Sequence, residues 1–222
     1  MSPRTYAPPP ALPAPLTAAQ VLRAHQRLGG LYEVWGLAFH APAHRMAIKR
    51  AALRNGERFL EVGVGSGLTF LPLVLGNPAG ENQGVDFSEA MLGRCRERLE
   101  RSGARHCRLQ QADARELPFP SDRFDLLLCC YLLDALTETD QDRALEEFRR
   151  VLRPGGRLIL VQMTRGGLPL YHLLASWAPL LLGGSRPVSL GPRSLQAGFR
   201  DVSQVLCKRL GLVSELVRGV KA

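Results

Sequence analysis

The chain has 222 residues, 45% of them hydrophobic and 22% charged, and a formal charge of +9. That length and composition suit one sizeable core and exclude wholesale disorder. The positive charge invites an anionic partner, but it is spread along the chain and carried almost wholly by arginine, with lysine only at Lys49, Lys208 and Lys221. The cysteines, Cys95, Cys107, Cys129, Cys130 and Cys207, are odd in number and form no CxxC pair. This argues against a disulfide framework and a zinc site, so no metal is expected.

Residues 1–16 are proline-rich and read as an extended arm; the prolines interrupt any apolar run, so this is no secretory signal. Residues 17–54 are strongly apolar with helical spacing, punctuated by Gly29-Gly30 and Pro42, and are expected to form a helical cover. An alternation then begins: a strand over Arg58–Val62, a glycine loop and a helix to about Leu75, a strand over Asn82–Asp86, and a helix over Ser88–Arg101 with Ser88 as N-cap. A third strand is expected over Arg105–Gln110. Phe124–Cys130 is a nearly continuous apolar run, as in a strand buried on both faces of a parallel sheet. A helix over Asp140–Leu152 should stop at Arg153-Pro154-Gly155-Gly156, before a strand over Arg157–Met163.

Residues 164–198 read as a helical insertion. Its apolar run Leu168–Leu182 is broken by Pro169 and Pro179 and is too short to span a bilayer. Residues 199–222 carry two strand-like runs without a long helix between them, which predicts an antiparallel pair. Strands alternating with helices predict an α/β fold, doubly wound around a mainly parallel sheet, with 55–163 as the ligand-binding core of one domain spanning 17–222. A cytoplasmic location is expected by elimination. Arg94, Arg96, Arg98, Arg101, Arg105 and Arg108 fall on or just after one helix, with Met91, Cys95 and Leu99 on its other face. Without interleaved aromatics they read as a solvated face rather than a nucleic-acid groove, and peripheral membrane contact stays open.

Three acidic signals follow successive strands. In Leu60–Leu68, glycines between a strand and a helix allow a tight turn and close approach of a ligand to the backbone. The dinucleotide pattern GxGxxG or GxGxxA fails, because its third small position would be Leu68 or Phe70. Glu61 at the strand end disfavours a pyrophosphate and suits a cationic sulfonium and an amino group. Asp86, with Phe87 beside it, can accept both ribose hydroxyl hydrogens. Asp113, in Gln111-Ala112-Asp113-Ala114, can accept from an adenine amino group.

With LEVGVGSG (60–67), GVDFSEAML (84–92), ADARELPFPSDRFDLLLCCYLLDAL (112–136) and FRRVLRPGGRLILV (148–161), the chain resembles the class I S-adenosylmethionine-dependent methyltransferases. Within them it is similar to the bacterial ubiquinone/menaquinone-biosynthesis group. The resemblance implies a Rossmann-like, seven-stranded sheet whose last strand is antiparallel, and S-adenosyl-L-methionine as cofactor. It implies that Glu61, Gly63, Gly65 and Gly67 hold the methionine part, Asp86 the ribose, and Asp113 and Ala114 the adenine. Cys129 matches a position whose backbone meets the methionine amino group. Relatives carry a His pair where this chain has Leu133-Asp134-Ala135-Leu136.

Methyl transfer needs alignment above all, and a general base only for a hydroxyl or acidic-carbon acceptor. Asp134, Tyr131 and His172 are the candidates, with Asp134 and Tyr131 preferred. Tyr32, Trp35, Phe39 and His40 together with Tyr171, His172 and Trp177 either pack the helical layer on the sheet or form the acceptor pocket, whose apolar character then suggests a small hydrophobic, lipid- or quinone-like acceptor. The alternatives are an NAD-dependent oxidoreductase, a non-catalytic S-adenosylmethionine-binding protein and an RNA methyltransferase.

Overall fold

A computed structural model describes residues 40–164, 190–209 and 212–222. The expected cover residues 17–39 and the insertion residues 165–189, with Tyr32, Trp35, Phe39, Tyr171, His172 and Trp177, lie outside the described residues. Helix α1 occupies residues 40–51 and buries Ala43, Ala47 and Ala51 at four-residue spacing, so one narrow face of methyl groups meets the core.

The alternation then runs β1 (Arg58–Val62), α2 (Phe70–Leu75), β2 (Glu81–Asp86), α3 (Glu89–Arg101), β3 (Arg108–Gln111), β4 (Phe124–Cys130), a 3-10 turn (Leu133–Ala135), α4 (Glu138–Val151), β5 (Leu152–Met163), α5 (Leu190–Gln196), β6 (Phe199–Arg209) and β7 (Leu212–Lys221). The seven strands form one sheet in the order β3-β2-β1-β4-β5-β7-β6. Pairs from β3 through β5 are parallel, and β7 runs antiparallel to both neighbours. The chain therefore adopts the doubly wound α/β fold with an antiparallel last strand.

Strand alternation divides the core in two. Leu126 and Leu128 of β4 point with Phe59 to the face covered by α1, α2 and α3. Leu127 and Cys129 point with Leu60 and Val62 to the face covered by α4, where Ala144, Leu145, Phe148 and Val151 are buried. Both faces being covered explains why β4 reads as an unbroken apolar run. Phe59, Phe70, Phe124 and Phe148 are fully buried, each contributing roughly 1.5–3 kcal/mol of transfer free energy.

Three boundaries differ from expectation by more than one residue, for local reasons. β3 starts at Arg108 rather than Arg105, because α3 closes with Ala104 N–H on the Leu99 carbonyl and the His106 carbonyl accepts from the Asn82 side chain, 2.7 Å away. α4 starts at Glu138 because Thr137 caps it, its hydroxyl accepting from Asp140 N–H at 3.2 Å. Pro154-Gly155-Gly156 does not separate α4 from β5 but lies inside β5. The register jumps from Phe124↔Leu152 to Leu126↔Arg157, so the glycines form an irregularity in a continuous strand.

Candidate active site

The order β3-β2-β1-β4 sets the C-terminal ends of four parallel strands side by side, where ligand sites of open α/β sheets lie. A cavity of about 230 Å³ opens across them. Its wall carries Asp113, Ala114 and Arg115 behind β3, Asp86 and Phe87 at β2, Glu61 at β1, the loop with Gly63 and Gly65, and Cys130 and Tyr131 at β4. His40 and His44 of α1 complete it.

The glycine loop is held to the sheet by Gly63 and Val64 N–H groups, both donating to the Val85 carbonyl. Gly65 has φ +53°, and a Cβ there would meet nothing within 4 Å, so its backbone is open to an incoming group. Gly67 has φ +81°, and a Cβ there would sit 2.7 Å from Cys95 Sγ. Gly67 is not on the cavity wall; it makes the turn and lets the loop pack on α3.

Glu61 is buried at 1% exposure. Its Oε1 accepts from the Thr69 hydroxyl, and its Oε2 has no partner among the described residues. Burial, reinforced by the nearby Asp86 charge and opposed by the Thr69 hydrogen bond, pushes its pKa up to about 8. A desolvated carboxylate with an orphaned oxygen on a cavity wall is built to receive a cation or an N–H donor.

Asp86 is fixed by two backbone donors, Gly65 N–H to Oδ2 at 2.8 Å and Ser88 N–H to Oδ1 at 2.9 Å. Each oxygen keeps a second lone pair, which suits a pair of vicinal hydroxyls. Burial raises its pKa against these hydrogen bonds.

Asp113 lines the cavity, yet Arg115 takes its acceptor sites: Oδ1 accepts from Arg115 N–H and Nε, and Oδ2 from Nε and Nη2, the last at 2.6 Å. These hydrogen bonds hold its carboxyl below the usual range. Arg115 also reaches Asp140 at 3.0 Å. The expected acceptance from an adenine amino group therefore competes with Arg115.

Strand alternation turns the Cys129 side chain into the α4 layer, and Cys130 lines the cavity; the role expected of Cys129 belongs to its backbone, on which side-chain direction does not bear. Asp134 sits in the 3-10 turn at 0% exposure and is not on the cavity wall, so the preferred general base does not face the site. Tyr131 does line the cavity. Its hydroxyl shares a 2.8 Å hydrogen bond with Ser214 of β7, and burial raises its pKa, which disfavours the phenolate a base would need.

The sequence reading missed His44, Thr69, Arg94 and Arg115, all on the wall. The His40-x3-His44 spacing, one helical turn, was the available signal. His40 stacks on Tyr131 with ring centroids 3.9 Å apart at 15°, and His44 meets the same ring edgewise at 5.4 Å. Among the described residues no group of three or more His, Cys, Asp or Glu side chains could hold a metal ion.

Residues 59–156 match a family model described as a methyltransferase domain. A phosphatidylethanolamine N-methyltransferase of Cereibacter sphaeroides is 38% identical over 142 residues, 64% of this chain and 66% of that protein. A ubiquinone/menaquinone biosynthesis C-methyltransferase of Ectopseudomonas mendocina is 35% identical over 144 residues, 64% of this chain and 52% of that protein. The chain thus spans about half to two-thirds of the length of these relatives. In fold it is similar to a SAM-dependent methyltransferase structure from Thermotoga maritima, with a TM-score of 0.70 and 23% identity over 91% of this chain and 100% of that one. The chain belongs to the class I S-adenosylmethionine-dependent methyltransferases. Within them it is similar to the ubiquinone/menaquinone biosynthesis group.

Proposed function

We propose that this chain transfers the methyl group of S-adenosylmethionine to a small hydrophobic or lipid-like acceptor. The observation that carries the donor is Glu61, a buried carboxylate with an orphaned oxygen, beside Asp86 on one cavity wall. These residues fit the donor's chemistry. Asp86 would take the ribose hydroxyls, the open backbone at Gly65 would let the ligand lie against the loop, and Glu61 would face the cationic end. Phe87, exposed by 48% at the cavity rim, would cover the nucleoside. When bound, the cofactor supplies an activated methyl carbon, and the chain supplies alignment, worth roughly 7–11 kcal/mol in well-oriented reactions.

The acceptor reading is supported by the apolar wall of Val62, Val64, Leu68, Leu132 and Leu136. It also draws on two relatives whose names specify a phospholipid and quinones. No described helix is long and apolar enough to cross a membrane. A cytoplasmic chain meeting a lipid-borne acceptor at a membrane surface, with residues 17–222 as one domain, belongs to the same reading. Labelled-methyl transfer to fractionated lipids, quinones and polar metabolites tests it. Label in the lipid or quinone fraction is expected, and label confined to polar or macromolecular acceptors overturns it.

A further inference from the structure

The strand order acts as a ruler along the cavity. Asp113 stands behind β3, Asp86 at β2, Glu61 at β1 and Tyr131 behind β4. With the nucleoside at Asp86 and the cationic centre at Glu61, the β4 end is left for the methyl acceptor, an assignment that rests on the methyl-transfer reading above. Among the described residues on that end of the wall, the groups able to take a proton are His40, His44 and Tyr131.

Tyr131 is a platform rather than a base. Its N–H donates to the Val161 carbonyl at 2.7 Å and its hydroxyl is tied to Ser214, so two neighbouring strands fix the ring. His40 lies flat on that ring, and His44, one turn along the same face of α1, packs against its edge. We infer that His40 and His44, held by Tyr131, form the acceptor end of the cavity and take the proton released by the methylated atom, so that the acceptor is a group whose reacting atom bears a removable proton.

Burial keeps both rings neutral, His40 lowered to about 3 and His44 to about 4, so their ring nitrogens retain a lone pair. The acceptor's electron pair forms the bond to the methyl carbon as the carbon–sulfur bond breaks and leaves its pair on sulfur. The acceptor's proton passes to an imidazole nitrogen. Loss of the sulfonium charge in the same event removes one repulsion from the imidazolium, while the cost of burying that cation remains and a nearby carboxylate must offset it. The cavity's charge is conserved, and the proton leaves to water when the product departs. Glu61 of β1 lines the same cavity and favours that cation.

The test uses the full chain with His40→Gln and His44→Gln. S-adenosylhomocysteine affinity by calorimetry should stay within about twofold of the parent, which also reports an intact fold. Labelled-methyl transfer to micelles of phosphatidylethanolamine, or of a reduced polyprenyl naphthoquinone, should fall by about 10²-fold or more. Imidazole in the buffer should partly restore His44→Ala. The two micelles separate an amine acceptor from a ring-carbon acceptor. A loss of S-adenosylhomocysteine affinity by about tenfold or more would assign the pair to the cofactor's methionine end and overturn the inference. So would undiminished transfer in both variants, or a loss that imidazole does not rescue. A parent protein silent on both micelles overturns the functional reading instead, and this inference falls with it.

Discussion

At the residue scale, Glu61 links the site to pH. Its folded pKa, raised to about 8, lies above the ordinary value of 4.5. Between those values the folded chain binds more protons than the unfolded one. The contribution of the neutral carboxyl to stability is therefore complete below 4.5 and is lost as pH rises through 8, at up to about 1.4 kcal/mol per pH unit. The urea midpoint of the ligand-free chain should fall from pH 5 to 8.5, and Glu61→Gln should flatten that slope; an unchanged slope would remove Glu61 from the account. A cationic ligand favours the ionised form, so affinity for S-adenosylmethionine should rise with pH over the same window and lose that rise in the Gln variant. Two glycines of the adjoining loop separate stability from binding. Both have positive φ, but only at Gly67 does a Cβ collide with a buried side chain, Cys95. Gly67→Ala should cost about 1–3 kcal/mol more in denaturant unfolding than Gly65→Ala. Gly65→Ala adds its methyl to the open side of the loop, so calorimetry should show weakened S-adenosylhomocysteine binding in a chain that is still folded.

At the element scale, the same physics that positions the site also places charge inside the sheet's antiparallel end. Glu215 of β7 is fully buried and accepts from the N–H groups of Leu190 and Gly191 at 3.2 and 3.3 Å, and from the Gln204 side chain. It thus ties the first turn of α5 to β7 and β6. Glu215→Ala leaves those donors buried without partners and should destabilise the chain by about 1–3 kcal/mol. Hydrogen exchange should quicken at Leu190 and Gly191; protection there unchanged from the parent would mean the carboxylate is not what holds the turn. Helix α4 is specified more locally. Thr137 and Asp140 hydrogen-bond reciprocally at its start, and Arg149 and Arg150 sit in its last turn, where the helix dipole favours cations.

At the scale of the whole molecule, β1, β2 and β4 end in cavity residues and β3 leads directly into them, so ligand binding and sheet stability are coupled. A ligand held at 100 times its dissociation constant stabilises the fold by about 2.7 kcal/mol. S-adenosylhomocysteine should therefore raise the melting temperature of the parent chain. Asp86→Ala should lose most of that increment, because it removes the carboxylate that the Gly65 and Ser88 N–H groups orient. An equal ligand-induced rise in the variant would show that Asp86 does not meet the ribose.

The sequence by itself determined the sheet and picked out three acidic residues, Glu61, Asp86 and Asp113, that line the cavity. Apolar runs placed β1 and β4 to the residue, because a strand buried on both faces is apolar almost throughout. The three acidic positions after successive strands marked a nucleotide-like cavity, because each lies within a few residues of a strand end. Tertiary structure decided the rest, and for reasons of orientation. Asp134 stands beside the right strand end, but the turn buries it away from the cavity wall. Asp113 looked unoccupied until Arg115, two residues on, folded back onto it. His44 became a site residue only because α1 lies across the end of β4 and sets its histidines on Tyr131. That contact joins residues about ninety positions apart, through packing that no local pattern encodes.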